Sequence, residues 1–547
     1  MINFDSLTLR AFLEENESFL NGAVVRKIQQ PTRRDIVLHL RNNGINKKLY
    51  ININPEFFHV CFPNDENYSE RGIKIPDTAP MFCMLLRKYI QNLRIVDVFQ
   101  PKGERILELY FDYTDVLNDC SRLCLAVELM GKYSNIILYN KHTGIIIGCA
   151  HNVGEEKSKV RELSGTLPYV YPASRNKKDL RKENKTDFCK IFDSYKNQED
   201  LVKKLTLMYE DITIPIAERI CGNSDFETEK IYENLLKEVS LSELNPCCDE
   251  NYNEFSLSEV NGFQKFSSVN SMIDEYYTYN QLQKLLNQKK AKIYAFLDSK
   301  IKKYEKQKEQ FDEKLSLKSK AENYKQKGDV LMMNPKITVS SKVILTNPYD
   351  NKPLEIELDE NLSVIENANR YYKLYKKIKS AIEYANSQIE KINSDIETLE
   401  LQRFYTEIAN SLNDTEDILL ELELQEPDKK KKNAEKKVQQ YEIGGYKIYI
   451  GKNSVQNDYI LSKVATGEDL WFHPQNCHGA HLILKKNNPS ENIPDNILLE
   501  CAKLTKKYSQ KSNEAKMPII YTKRKYVKKA TSKIAFVTYK NEKEIYC

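Results

Sequence analysis

Three of the chain's seven histidines, His473, His478 and His481, fall within nine residues, beside Trp471, the only tryptophan. A metal centre there would need a closed ligand set held by supporting partners. Cys477 is the single soft ligand nearby, and no acidic residue lies between His473 and His481, so no metal is expected. Such rings also stack on bases or a ribose, or simply pack in a loop, and the sequence leaves both readings open. Nucleophilic catalysis finds no footing: no GxSxG elbow, Walker A loop or GxGxxG fingerprint occurs. Gly131-Lys132 lacks a preceding glycine-rich loop, and Glu104-Arg105 after Gly103 is, by itself, a charged hairpin. Neither an enzyme nor a cofactor is indicated.

Charge says more. Between Lys503 and Lys529 ten Lys/Arg face one acid, Glu514, a local balance of +9. The whole chain carries +5, so the remainder sums to about −4. Such a patch, with Lys523, Arg524, Lys525, Lys528 and Lys529 at its end, suits a polyanion, although a solvated surface helix and loop reads the same way. Nearer the N-terminus, Arg26, Lys27, Arg33, Arg34, Arg87, Lys88, Arg94, Lys102 and Arg105 are candidates for phosphate contacts. Those contacts position a nucleic acid without specifying it. The twelve cysteines show no repeated CxxC spacing, no apolar run approaches the ~20 residues of a membrane span, and no basic-then-apolar signal opens the chain. A cytoplasmic protein with reduced thiols is expected.

The elements that must position these residues divide into about three to five domains for 547 residues. Residues 1–175 read as mixed α/β. Leu7, Leu9, Phe12 and Leu13 mark an opening helix, with strands at 35–40, 48–53, 57–62, 106–111, 123–128 and 135–139 and a helix at 79–93. Residues 176–265 read as a Lys/Asn-rich entry and a small helical module, with helices at 199–209 and 214–221. Residues 266–435 carry the clearest periodicity: Tyr371, Tyr375, Ile378, Ile382, Ala385, Ile389, Ile392, Ile396 and Leu399 alternate in steps of four and three. Leu297, Ile301, Tyr304, Phe311 and Leu315 continue that rule upstream, with Lys308 interrupting. Between them residues 334–361, with Pro335, Pro348 and Pro353, alternate like strands. Two antiparallel coiled-coil arms with a β-rich tip are expected rather than a coiled-coil dimer; a 33-residue arm reaches ~50 Å. A basic linker around 426–440 (Lys429 to Lys432) leads to a last α/β domain over 436–547, with strands at 446–450, 482–484, 536–539 and 544–546 and a helix at 496–509. The fold class is α+β, in several domains.

Several strings occur in a telling order. They are Phe82-x-Met84-x-Leu86-Arg87-Lys88, Gly103-Glu104-Arg105-Ile106, Glu128-Leu129-Met130-Gly131-Lys132-Tyr133-Ser134-Asn135-Ile136-Ile137-Leu138, and Glu366-Asn367-Ala368-Asn369-Arg370-Tyr371-Tyr372. Gly451-x-Asn453-x-x-Gln456-Asn457-Asp458, Asp469-Leu470-Trp471-Phe472-His473 and Gly479-Ala480-His481 follow. Together they resemble the NFACT family of ribosome quality-control factors, in its bacterial RqcH-type branch, long called fibronectin-binding proteins; NEMF is a eukaryotic member. The absence of a long C-terminal extension points to that branch. The resemblance spans essentially the whole chain.

The resemblance implies a factor that binds large ribosomal subunits obstructed by peptidyl-tRNA. It implies recruitment of charged tRNA, mainly alanyl-tRNA, for mRNA-independent tailing of the nascent chain, which marks that chain for degradation. The bond chemistry would belong to the ribosome, and the factor would be a monomer. Implied tRNA-binding residues are Asp5, Arg87, Lys88, Glu104 and Arg105, with Glu104 standing where the family has aspartate. Implied RNA-binding residues are Asn453, Gln456, Asn457, Asp458, Trp471, His473, His481, Lys523, Arg524, Lys525, Lys528 and Lys529. The module at 176–265 resembles a helix-hairpin-helix, but no hairpin glycine occurs over residues 211–217, where Pro215 sits. After Lys528-Lys529-Ala530 the family's usual Gly and Pro are missing. The first two modules also resemble formamidopyrimidine-type DNA glycosylases, which need an N-terminal proline where this chain has Met1-Ile2-Asn3. Rival readings are a surface adhesin binding fibronectin, which surface fractionation of intact cells would reveal, and a general RNA-binding chaperone, which would show no preference among tRNAs.

Overall fold

The computed structural model describes residues 4–73, 75–114, 119–156, 161–173, 177–195, 197–222, 227–425, 438–529 and 537–547. Lys429 to Lys432 of the expected linker and Phe536 of an expected strand lie outside the described residues. The chain falls into two compact units, Met1–Lys284 and Leu285–Cys547.

In the first unit α1 (Ser6–Leu20) is followed by an antiparallel meander of β1 (Val24–Gln29), β2 (Asp35–Asn42), β3 (Ile45–Asn52) and β4 (His59–Cys61). Helices α2 (Asp65–Glu70) and α3 (Met81–Ile90) lead to a second meander: β5 (Ile95–Phe99), β6 (Ile106–Thr114), β7 (Cys120–Glu128), β8 (Asn135–Asn140) and β9 (Ile146–Cys149). The meanders touch at a bridge between Val24 and Arg94. Leu7, Leu9 and Phe12 of α1 lie fully buried in one core with both sheets and α3. Helices α4 (Lys185–Phe192), α5 (Gln198–Met208), α6 (Ile214–Gly222) and α7 (Thr228–Val239) form a second core around Phe188, Phe192, Leu205 and Tyr209. Three two-residue strands, β10 (Cys247–Cys248), β11 (Phe255–Ser256) and β12 (Gln264–Lys265), precede the long α8 (Val269–Leu315).

The unit boundary at 284/285 cuts α8, inside the stretch expected as one module over 266–435. The cause is packing: Val269, Met272, Ile273, Tyr276 and Tyr277 belong to the first unit's core. A buried ion pair pins them there. Arg71 donates to Asp274 Oδ1 at 2.7 Å and to Thr278 Oγ1 at 2.9 Å, and its guanidinium lies over the Tyr50 ring. Asp274 Oδ2 accepts from the Asn64 backbone at 2.9 Å and from Asn67 Nδ2 at 2.8 Å.

In the second unit α8 and α9 (Lys318–Met333) run against α10 (Val364–Ile408). Asp298 meets Arg403, Phe311 meets Tyr384 and Asp329 meets Tyr372, so the arms are antiparallel along their length. Every member of the Tyr371-to-Leu399 stripe is buried or half-buried, which is the seam the spacing demands. With 45 residues α10 spans about 68 Å. A capping box of Ser363 and Glu366 starts it. The tip is a hairpin of β13 (Lys342–Thr346) and β14 (Pro353–Glu357), with Pro353 at a strand's first position, where it is tolerated.

After α11 (Leu412–Glu421) comes a six-stranded antiparallel sheet in the order β15-β16-β18-β17-β19-β22. Its strands are β15 (Gln439–Ile443), β16 (Tyr446–Gly451), β17 (Leu470–Pro474), β18 (His481–Leu484), β19 (Pro518–Lys523) and β22 (Lys543–Tyr546). The short α12 (Ser454–Tyr459) follows β16. One face packs on α13 (Asp495–Lys507), and the other meets Ile460, Leu461 and Val527, the last from the ribbon β20 (Val527–Lys529) and β21 (Val537–Tyr539).

Replacing Asp274 with alanine leaves the Arg71 guanidinium buried without its counter-charge, which costs about 3–5 kcal/mol. Urea unfolding of Asp274→Ala followed by far-UV circular dichroism should show that loss. Fluorescence is the wrong probe, because Trp471 lies in the other unit.

Candidate nucleic-acid interface

The first unit gathers charged and aromatic groups at the start of α1. Asp5 caps that helix: its Oδ1 accepts from the Thr8 backbone at 2.8 Å and the Thr8 hydroxyl at 2.7 Å. The hairpin of residues 100–105 brings Arg105 to the same place. Burial pushes the Asp5 carboxyl above its ordinary value and the charge of Asp211 adds to this, while the Thr8 hydrogen bonds and the Arg105 charge pull it back. The same Asp5 and Arg105 charges act on the buried Tyr277 phenol, which burial holds well above its usual range. Arg105 lies over the Phe58 ring, 5.4 Å from its centroid.

Two close approaches set this geometry. Gly103 has φ +66°, and a Cβ there would come within 2.7 Å of Glu210 Oε2 and 2.9 Å of Glu210 Cβ. Only glycine allows the hairpin to dock on the turn after α5. Gln100 Nε2 donates to the carbonyls of Ser6 and Glu104, both at 2.8 Å, tying hairpin to helix. The Glu104 side chain is half-buried beside them.

Asp211 is the residue that sequence reasoning passed over. It stands at φ +64°, a left-handed conformation of the kind a hairpin glycine adopts readily. Its carboxylate accepts from Ser6 Oγ and Arg10 Nη1, each at 2.7 Å, and Arg181 approaches to 3.5 Å. The α5–α6 turn is therefore clamped to α1 by a buried carboxylate. An Asp beside a Glu in the short turn between two helices carries no sequence signal for such a role.

The longest string of the resemblance, residues 128–138, divides between interior and surface. Glu128 is buried at the end of β7, taking both Arg161 amines at 2.8 and 2.6 Å and the Tyr169 hydroxyl at 2.9 Å. Gly131, at φ +61°, opens a tight turn against Pro55 and Phe58, and that turn leaves Lys132 and Tyr133 exposed. Leu129 donates its backbone N–H to the Arg105 carbonyl at 2.9 Å, so this turn adjoins Arg105. A guanidinium, an ammonium and an exposed phenol together can hold phosphate and stack on a base. Arg87 and Lys88 are placed differently. The Arg87 guanidinium donates to the Ile28 carbonyl at 3.0 and 2.9 Å, securing the end of β1, while Lys88 is exposed on α3.

In the last domain five of the residues expected to face RNA, Asn453, Gln456, Asn457, Trp471 and His481, lie in the interior. Asn453 caps α12 and is fully buried; Gln456 receives the Lys452 N–H at 3.0 Å and donates to Asp414 at 2.8 Å. Asn457 donates to the Tyr405 hydroxyl at 2.9 Å and accepts from the His481 backbone at 3.2 Å. These amides join α12 to α10 and α11 because buried amides must be hydrogen-bonded. Trp471, expected in a loop, lies at 0% exposure in the central strand β17, and His481 at 2% in β18. The alternation explains it: Leu470 and Phe472 face the α13 core, while Trp471 faces the opposite core. His473, half-buried, stacks on Trp471 with 5.5 Å between centroids and 6° between planes. Burial pushes the His473 imidazole down to about 4 and holds His481 well below its usual range. Among the described residues no group of three His, Cys, Asp or Glu side chains is placed to hold a metal.

The basic residues do reach the surface. Lys523 and Lys525 converge on Glu468, Lys529 pairs with Asp458, and Lys528 is exposed on β20. Arg524 holds the turn, donating to the carbonyls of Leu461 and Val527, both at 2.8 Å.

Comparison with known proteins divides the chain within residues 437–441, not at the boundary between the two compact units. The NFACT N-terminal and middle domains match residues 5–441, and the NFACT protein RNA binding domain matches residues 437–538. The chain is 27% identical to the Rqc2 homolog RqcH of Streptococcus pneumoniae serotype 2 (strain D39 / NCTC 7466), over all of this chain and 97% of that protein. It is 28% identical to the Rqc2 homolog RqcH of Streptococcus suis (strain 05ZYH33), over all of this chain and 98% of that protein. Among solved structures, the N-terminal part of the fibronectin/fibrinogen-binding protein from Streptococcus suis is 25% identical. It aligns with 50% of this chain and 98% of that one, at a TM-score of 0.43. Among the described residues no helix is long and apolar enough to cross a membrane.

The neutral histidines set a pH dependence. An unfolded imidazole takes a proton below about 6.5, whereas folded His473 does so only near 4. The unfolded state therefore binds more protons between those values, and stability falls with falling pH by up to about 1.4 kcal/mol per pH unit for each such histidine. Urea midpoints read from Trp471 fluorescence should drop from pH 7 to pH 5, and His473→Gln should flatten that dependence.

Proposed function

Because the chain belongs to the NFACT family, we propose that it is a ribosome quality-control factor. It binds large ribosomal subunits obstructed by peptidyl-tRNA and recruits charged tRNA, alanyl-tRNA above all, for mRNA-independent extension of the stalled nascent chain. The tail marks that chain for degradation. The ribosome performs the peptide-bond chemistry; this protein binds and positions, acting as a monomer in the cytoplasm. The observation that carries this reading is the docking of the hairpin that carries Arg105 on the start of α1, where Asp5, a hundred residues away in sequence, is the cap, with the exposed Lys132 and Tyr133 in the turn that adjoins Arg105. Arg105 offers a planar bidentate donor to phosphate or to a guanine edge. Asp5, already holding Thr8, fixes the α1 terminus against which Arg105 is set. Glu104 keeps the carboxylate of the family's acidic position one methylene further out.

Pull-down of the tagged protein at moderate salt, with sequencing of bound RNA, tests the proposal. Large-subunit rRNA without small-subunit rRNA, together with enrichment of one or two tRNA species, is the expected result. In the same assay Arg105→Ala should lose the tRNA, keep the rRNA and abolish tails in cells. Uniform recovery of all RNA, or unchanged tail length with Arg105→Ala, would overturn the proposal.

A further inference from the structure

Lys523 ends β19 and Lys525 lies in the turn that follows, with Arg524 turned away into its two carbonyls. The two ammonium groups meet the two oxygens of one carboxylate: Lys523 Nζ is 2.7 Å from Glu468 Oε2, and Lys525 Nζ is 2.6 Å from Glu468 Oε1. The carboxylate is delivered by backbone. The Gly467 carbonyl accepts from the Lys525 N–H at 3.0 Å, and the Asp469 carbonyl accepts from the Arg524 N–H at 2.8 Å, so the residues flanking Glu468 are stapled to the residues that carry the lysines. Asp469, buried, locks the loop further by accepting from the backbones of Thr466 at 2.6 Å and Lys486 at 3.0 Å, and from Lys485 Nζ at 3.2 Å. The whole arrangement is solvent-facing, with Lys523 and Lys525 each 42% exposed and Glu468 32% exposed.

Two ammonium groups gripping adjacent oxygens of one anion have the geometry of a phosphate site. A phosphodiester presents the same pair of anionic oxygens as a carboxylate. We propose that Lys523 and Lys525 form a subsite for a backbone phosphate of RNA, and that Glu468 occupies this subsite until RNA displaces it. The inference rests on the RNA-binding reading of the C-terminal domain. Glu468 is then a competitor built into the fold: it holds both lysines in converging rotamers, lowering the entropy of capture, and it discriminates against isolated anions. The two lysines pull its carboxyl down to about 2, so it stays ionised and in place throughout the physiological range. Exposed ion pairs are weak, so a polynucleotide that brings further phosphates to Lys528 and Lys529 displaces it readily.

The test uses the full chain and a fluorescein-labelled, uridine-rich single-stranded RNA, with binding read by anisotropy across a salt series. Glu468→Gln keeps the shape and removes the competing charge. It should tighten binding by roughly threefold to tenfold at low salt, with the gain shrinking as salt screens both contacts. The same substitution combined with Lys523→Gln and Lys525→Gln should show no gain over the double lysine variant. A gain that persists without the lysines would be a general charge effect and would overturn the subsite. No gain, with the lysine variants still weakening RNA binding, would overturn the role of Glu468 while leaving RNA binding intact. If neither the wild type nor any variant bound RNA, the RNA-binding reading itself would fall. Inorganic phosphate should compete no better than chloride at matched ionic strength; stronger competition would reassign the lysines to a free-anion site. Unchanged circular dichroism of Glu468→Gln separates these outcomes from misfolding.

Discussion

A carboxylate taken out of water costs several kcal/mol unless donors surround its oxygens, and in the first unit that requirement organises the surface around Asp211. Ser6, Arg10 and Arg181 surround its carboxylate, and they come from α1 and from the segment leading into α4. The helical module is thereby held to the helix whose cap is Asp5. Glu210, next in sequence, closes against Gly103, which seats the hairpin carrying Arg105. One buried charge thus couples three segments that are distant in the chain. The convergence of Asp5 and Arg105 is a consequence of that packing and not of local conformation.

The second unit meets the same requirement with amides. Asn453, Gln456 and Asn457 cannot be buried without partners, and Asp417, Asp414 and Tyr405 provide them from α10 and α11. The C-terminal sheet is thereby keyed to the base of the helical arms. Gly451 has the same cause: a Cβ there would lie 2.3 Å from Asn457 Oδ1 and 2.7 Å from its backbone nitrogen. The string around residues 451–458 is therefore an architectural joint, and the solvent-facing cations of this domain's basic stretch lie on the ribbon and turn that carry Lys523 to Lys529.

The two kinds of polar residue thus behave in opposite ways. Short side chains with fixed donors and acceptors, such as Asn457 and Asp211, are drawn inward because their partners can be placed with precision. Long flexible cations keep an apolar stem on the fold and a charge in water, which is where polyanions bind. Where a cation is planar and its donors fork, as with Arg71, Arg87 and Arg524, the fold uses it on carbonyls or on a buried carboxylate.

By itself the sequence determined the repeating and local features. The alternating stripe from Tyr371 to Leu399 dictates a packed helical arm, the apolar runs at 106–111, 123–128 and 135–139 dictate neighbouring strands, and the charge surplus from Lys503 to Lys529 dictates an electropositive end. Each follows from spacing along one segment, where physical period and sequence period coincide. Tertiary structure alone decided which polar residues are inside. Trp471 and His473 stand in a run that reads as a loop, and only the sheet order, with β17 between β18 and β19, buries the indole. Asp211 carries no local signal, since Ser6 and Arg10, which donate to it, lie 205 and 201 residues upstream. Within the one helix α8, Asp274 and Tyr277 belong to the first unit because Arg71 and His59 wait there. Contacts across long sequence separations follow from the summed packing of whole elements, which no window of the sequence contains.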